Sequence, residues 1–144
     1  MTTTESDNII KEVRRVYHKI TEHSEKAQLD SFLSYYDDSP HFLSFSADGR
    51  MSDAKAFREL CGEYYGSLKA QKVITISEQY RVMDETLVIV GWTGNITATL
   101  NNGNIIKMKN YSITSVFNKI EGRWKIIHDH ESALPPEITK NQNK

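Results

Sequence analysis

The first third of the chain carries apolar residues at helical spacing. Ile9, Ile10, Val13, Val16, Tyr17 and Ile20 recur with Lys11, Glu12, Arg14, Arg15, His18 and Lys19 between them. This pattern predicts an amphipathic helix over about residues 7–23, capped by Ser6 or Asp7. Leu29, Phe32, Leu33 and Tyr36 predict a second, shorter helix. Asp37-Asp38-Ser39-Pro40 ends it, because proline biases its predecessor away from helical geometry. His41 to Phe45 reads as a short strand and Ala47-Asp48-Gly49 as a turn. A third helix follows a Ser52 or Asp53 cap, carries Phe57, Leu60, Cys61 and Tyr64 on one face, and ends near Gly66.

After Gly66 the period drops to two. Ile74, Ile76, Tyr80 and Val82 alternate with Thr75, Ser77, Gln79 and Arg81. Long strands are predicted from Leu87 to Leu100 and from Ile105 to Asn118, joined through Asn101-Asn102-Gly103-Asn104, whose Asn-Gly pair signals a hairpin. Lys119 to Gly122 reads as a turn and Arg123 to Glu131 as the last strand. The expected organisation is a flexible segment at 1–6, one domain at 7–135, and a polar, frayed tail at 136–144. Helices gathered ahead of a strand meander give an α+β class, with a curved antiparallel sheet wrapped on the N-terminal helices. In the Leu87–Leu100 strand, Val88, Val90, Trp92, Ile96, Ala98 and Leu100 share one face, and the other face becomes polar midway. Both faces are therefore expected to be used, one on a cavity and one against a second copy in a homodimer.

Composition narrows the function classes. A chain of 144 residues is one domain by length and large enough to hold a core unaided. The formal net charge of −1 offers no basic face for nucleic acid. No apolar run approaches the ~20 residues of a membrane span. The polar start MTTTESDN lacks a signal-peptide core, and a single cysteine, Cys61, suits a reducing compartment, so the chain is expected to be cytoplasmic. Asn95-Ile-Thr97 and Asn110-Tyr-Ser112 match the glycosylation pattern, read as chance in that setting.

The C-terminal stretch Gly122-Arg123-Trp124-Lys125-Ile126-Ile127-His128-Asp129-His130-Glu131-Ser132 concentrates the candidate chemistry. Strict alternation puts Trp124, Ile126, His128 and His130 on one face and Lys125, Ile127, Asp129 and Glu131 on the other. Two imidazoles about 7 Å apart along a strand suit one metal ion. A catalytic zinc needs a third protein ligand, for which only His41 offers itself. The expectation is no metal and no cofactor, with Trp124, Ile126 and His128 packed at a subunit interface.

The same stretch, with Leu29-Asp30, Asp37-Asp38 and the Gly49 to Phe57 approach to the third helix, resembles the nuclear transport factor 2-like superfamily, in particular its SnoaL-like branch. The resemblance covers about residues 7–135. It implies a cone-shaped half-barrel with an internal pocket, and usually a dimer through the outer sheet face. It is specific for fold and weak for function, since this superfold hosts isomerases, cyclases, dehydratases, adaptors and assembly hubs. Alignment on polyketide cyclases implies Asp129 as the acid/base residue, aided by Glu131. Ketosteroid isomerase, a worked example among pKa-tuned enzymes, uses an Asp base, a Tyr and a protonated Asp. Only Tyr17 matches here, since the other two roles fall at Leu43 or Ser44 and near Ile113. The positions matching the arginines of the calmodulin-dependent kinase association domain are Thr93, Ser115 and Glu131, none of them basic. With His41 and Tyr111 in the lining, the expected occupant is a neutral, partly apolar or cationic small molecule. Two readings stay open: an acid/base isomerase, cyclase or dehydratase, and a non-catalytic ligand-binding or assembly module.

Overall fold

The computed structural model describes residues 1–142. The first helix, α1, spans Thr3–Glu25 and starts earlier than the predicted 7. Thr2 and Glu5 form a capping box: the Thr2 hydroxyl accepts from the Glu5 amide at 3.1 Å and the Glu5 carboxylate accepts from the Thr2 amide at 2.7 Å. Ser6 and Asp7, the expected caps, lie inside the helix, and most of the expected flexible lead-in is its first turn. α1 buries Val13, Tyr17 and Ile20 along one stripe, as the periodicity predicted. α2 is the short Leu29–Leu33. α3 spans Ala54–Ser67, with the Asp53 carboxylate accepting from the Ala56 amide at 2.8 Å.

Among the described residues, seven strands form one curved, open sheet. They are β1 (Leu43–Phe45), β2 (Met51–Ser52), β3 (Leu68–Asp84), β4 (Leu87–Leu100), β5 (Ile105–Ile120), β6 (Arg123–Ser132) and β7 (Glu137–Thr139), in spatial order β2-β1-β6-β5-β4-β3 with β7 added beside β5. Two details depart from expectation. β1 runs parallel to β6, so the sheet is mixed rather than wholly antiparallel. The expected frayed tail contains β7, which pairs with residues 105–107 where β5 extends beyond β6 and leaves backbone groups to satisfy. The β5–β6 hairpin turns through Glu121 and Gly122, both at positive φ (50° and 78°), a pair that matches the right-handed strand twist.

The helices pack on the concave side. Val88, Val90, Phe117 and Ile126 are wholly buried there against α1, whose Tyr17 ring lies 6.1 Å from that of Phe117. Lys119 and the indole of Trp124 both reach Glu12 of α1, at 3.4 and 2.8 Å. No helix among the described residues is long and apolar enough to cross a membrane.

Gly94 shows how tightly the concave face is built. A Cβ there would stand 2.4 Å from the Ile74 carbonyl oxygen and 2.5 Å from the Trp92 ring, which lies across the glycine and donates to the Thr75 hydroxyl at 2.9 Å. Gly94→Ala is expected to cost about 1–3 kcal/mol by overpacking. Urea denaturation followed by tryptophan fluorescence measures this, and an unchanged midpoint would show that the Ile74 backbone and the indole both move aside freely.

Candidate functional site

The site is made by an irregularity in β6. Phe117 pairs with Ile126 and Val116 with His128, so Ile127 has no partner and forms a bulge. One extra residue shifts the phase of every side chain beyond it. Trp124 and Ile126 point into the core before the bulge, and Asp129 and Glu131 point inward after it. This corrects the expectation that Trp124 and Ile126 sit at an outer interface. Only the histidines keep the outward side: His128 meets the Leu43 carbonyl oxygen at 2.8 Å, and His130 stacks on Phe45 with ring centroids 5.0 Å apart.

Asp129 is 1% exposed. It lies between two serines on neighbouring strands, Ser44 of β1 and Ser115 of β5, each directly opposite it in register. The Ser44 hydroxyl donates to the Asp129 carboxylate, and Ser115 is hydrogen-bonded to the Tyr17 hydroxyl. Asp129 does not reach the cavity; it sits behind a wall to which Ser44, Ser115 and Ile126 contribute. Glu131 does reach it. Its carboxylate accepts from the Tyr111 hydroxyl at 2.5 Å and is the one charged group among the side chains lining a cavity of about 340 Å³. That volume is at the lower end for small-molecule sites. The opposite wall is aromatic, with Phe32 packed 5.2 Å from Tyr65 and Tyr36 packed 4.8 Å from Phe57. A second polar group, Gln71, is satisfied within the protein: its amide nitrogen donates to the Ser24 hydroxyl at 2.9 Å and to the Ser24 carbonyl at 3.1 Å, and its oxygen accepts from Tyr64.

Burial sets the acidity of this pair. Loss of hydration pushes Asp129 up to about 6, offset in part by the Ser44 hydrogen bond and by His128 and His130 behind it. Glu131 is pushed up to about 7, first by burial and then by the Asp129 charge, against the Tyr111 hydrogen bond. Two carboxyls this close titrate as a pair, and near neutral pH they carry a proton that can be given or taken. Burial also raises the Cys61 thiol, which lines the cavity, to about 12, so it stays an unreactive neutral group.

The sequence-derived candidates divide. Tyr17, Tyr111, Ser115 and Glu131 line one cavity, and Asp129 supports it from behind. His41 and Thr93 do not line it. His41 is exposed in the turn before β1. Thr93 follows the inward Trp92 and so faces the convex side, where its hydroxyl meets that of Ser77 at 2.7 Å. Ser44 and Gln71 were not anticipated as site residues. No local signal marks Ser44, because its contact with Asp129 spans 85 positions. Among the described residues no group of three or more His, Cys, Asp or Glu side chains could hold a metal ion.

A curved, open sheet with helices packed on its concave side over a cavity, and acids of the last long strand turned inward, defines a cone-shaped α+β fold. A SnoaL-like domain model matches residues 13–136, and the chain belongs to that family. No curated protein matches significantly. Among solved structures, a candidate scytalone dehydratase from Novosphingobium aromaticivorans is similar with a TM-score of 0.80 at 8% identity, over 99% of both chains. A type 2 hexachlorocyclohexane dehydrochlorinase (LinA) is similar at 0.77 and 10% identity, over 97% of this chain and 95% of that one. The association domain of the Caenorhabditis elegans calmodulin-dependent kinase II is similar at 0.70 and 15% identity, over 91% and 99%. At such identities the likeness is one of fold.

Proposed function

We propose that the protein binds a small, partly apolar organic molecule in the cone and moves a proton on it, with Glu131 as the acid/base group. The observation that carries this reading is Glu131 itself: a half-buried carboxyl, held by Tyr111, facing an aromatic cavity with its acidity tuned to neutral pH. Asp129, the residue favoured from the sequence, is a positioning residue in this arrangement. It raises Glu131 through its charge and fixes the β1–β6 edge through Ser44. The reaction class is proton abstraction beside an electron-withdrawing group. Glu131 takes the proton, and the C–H electron pair enters a new double bond. The reaction ends by reprotonation elsewhere, as isomerisation, or by loss of hydroxide, which leaves as water with the proton that Glu131 returns. The dehydratase and dehydrochlorinase likenesses agree with this class, as does the absence of basic lining side chains among the described residues.

The test is a carbon-13 titration of the labelled carboxyls in the intact protein. Glu131 is expected to titrate near 7. A midpoint near its ordinary 4.5 would remove the reading.

The outer face of the sheet is the proposed site of a second copy. Ile74 and Ile76 of β3 are 49% and 60% exposed, an apolar surface of the kind that subunit contacts cover. Light scattering at micromolar concentration is expected to give twice the chain mass; the single-chain mass would remove the dimer.

A further inference from the structure

We propose that the natural occupant of the cavity is an organic cation, either an amine carried as its conjugate acid or a quaternary ammonium, on an aromatic or aliphatic body. This deepens the acid–base reading by naming the substrate class of the same cavity, and it rests on that reading for the role of Glu131.

The charge balance of the cavity is one-sided. Glu131 is the charged group on its wall, Asp129 lies behind it, and Asp48 acts on it from the β1–β2 turn. Among the described residues, no Lys, Arg or His side chain lines the cavity. The cations nearby are engaged elsewhere. Arg50 holds Asp48 at 2.9 Å, and Arg58 donates to the backbone carbonyls of Leu33 and Tyr36 at 3.4 and 3.2 Å. Acids with no cation on the cavity side are costly. Hydrogen bonds from Ser44 and Tyr111, with the histidines behind Asp129, offset that cost in part, and the raised pKa values show that they do not offset all of it. An anion would add repulsion; an ammonium would remove the imbalance.

The remaining surface suits such a group. Tyr36, Phe57, Tyr64, Tyr65, Trp92 and Tyr111 all contribute to the lining, and the negative faces of aromatic rings attract cations, most strongly when water is excluded. The other hydrogen-bonding cluster, Gln71 with Ser24 and Tyr64, is satisfied internally, so the unmet demand is the charge at Glu131. The remaining ionisable groups facing Glu131 are Tyr111 from β5, Tyr64, Tyr65 and Cys61 from α3, and Tyr36 after α2. All are raised by burial and stay neutral through the physiological range. His128 and His130, which act on Asp129 from the outward side of β6, do not line the cavity. A bound cation would also prepare the chemistry. With Asp129 as resident counter-charge, it makes the ionised, basic form of Glu131 available near neutral pH.

The experiment titrates the full-length protein with benzyltrimethylammonium and with its uncharged carbon isostere, neopentylbenzene, following tryptophan fluorescence from pH 8 to pH 4. The cation is expected to bind at least tenfold more tightly than the isostere at pH 8. Its affinity should then fall at least tenfold by pH 5.5, while that of the isostere stays within twofold. Glu131→Gln should abolish the preference; if that variant does not fold, the wild-type pH series decides alone. An isostere that binds as well as the cation at pH 8, no binding of the cation, or a cation affinity unchanged down to pH 4 would each overturn the proposal. A fall that begins only below pH 5 would leave the cation site standing and remove the acid–base reading instead. An isostere preference with Glu131 still titrating near 7 would do the reverse.

Discussion

Glu131→Gln is expected to slow proton transfer in the cavity by about 10²–10⁴-fold, the usual contribution of a positioned general acid or base. It should also make the protein more stable above neutral pH. Glu131 titrates at about 7 in the folded chain against 4.5 for the ordinary side chain. Between those values the folded state holds a proton that the unfolded state has lost. Stability therefore falls as pH rises through that window and is lowest, on this account, above pH 7. The total is about 3 kcal/mol, at 1.36 kcal/mol per pH unit. Asp129, raised from 3.8 to about 6, acts in the same direction over a slightly lower range. A glutamine keeps the shape and can still accept from Tyr111, but it has no charge to bury. Urea denaturation at pH 4.5 and pH 8 should show wild type and variant nearly equal at the lower pH. The variant should be ahead by up to about 3 kcal/mol at the higher one. The rate is read from exchange of the α-hydrogens of acetophenone in heavy water. Equal stabilities at pH 8 would mean that Glu131 is hydrated rather than buried, and would remove it as a tuned acid.

Phe117→Ala is expected to cost about 3–5 kcal/mol, a large share of the 5–15 kcal/mol that holds a domain together. Phe117 is wholly buried, pairs with Val88 on one side and Ile126 on the other, and packs its ring on Tyr17. The wall around it cannot collapse, because the neighbouring strands are fixed by their hydrogen bonds, so truncation leaves a void. The loss should reach the site as well. Tyr17 is hydrogen-bonded to Ser115, which lies opposite Asp129, so loosening Tyr17 loosens that row. Phe117→Leu, which nearly conserves volume, should cost less than about 1.5 kcal/mol. A denaturation series over the two variants decides the matter; equal losses would show that the ring itself, rather than filled space, is what the core requires.

Much of the fold was legible in the chain because its signals are local. The apolar stripe of α1 depends on residues three and four apart, and the limits of β4 fall where predicted, at Leu87 and Leu100. Ser52 and Asp53 both qualify as the cap of α3 by their place ahead of an apolar run, and Asp53 is the one that caps it. The start of α1 was also written locally, as Thr2 with Glu5, but Ser6 and Asp7 are equally good caps by type. What selects between them is that the longer helix satisfies both ends of the capping box.

The sequence by itself determined that helices precede a long-stranded sheet, that an apolar concave side forms, and that acids lie on the last long strand. Only the tertiary structure decided that those acids share the inward side with Trp124 and Ile126. Strand alternation has a period of two, so its prediction is only as good as the regularity of the strand, and the unpaired Ile127 resets the phase between Ile126 and Asp129. That bulge is a property of the pairing between β5 and β6, not of the residues around it. The same holds for Ser44, brought to Asp129 by a parallel pairing that no neighbouring residue announces, and for His41 and Thr93, which carry suitable chemistry outside the cavity. The acidity of Glu131 belongs to this second group. A glutamate acquires a neutral pKa only when the cone has screened it from much of its water and set Asp129 beside it.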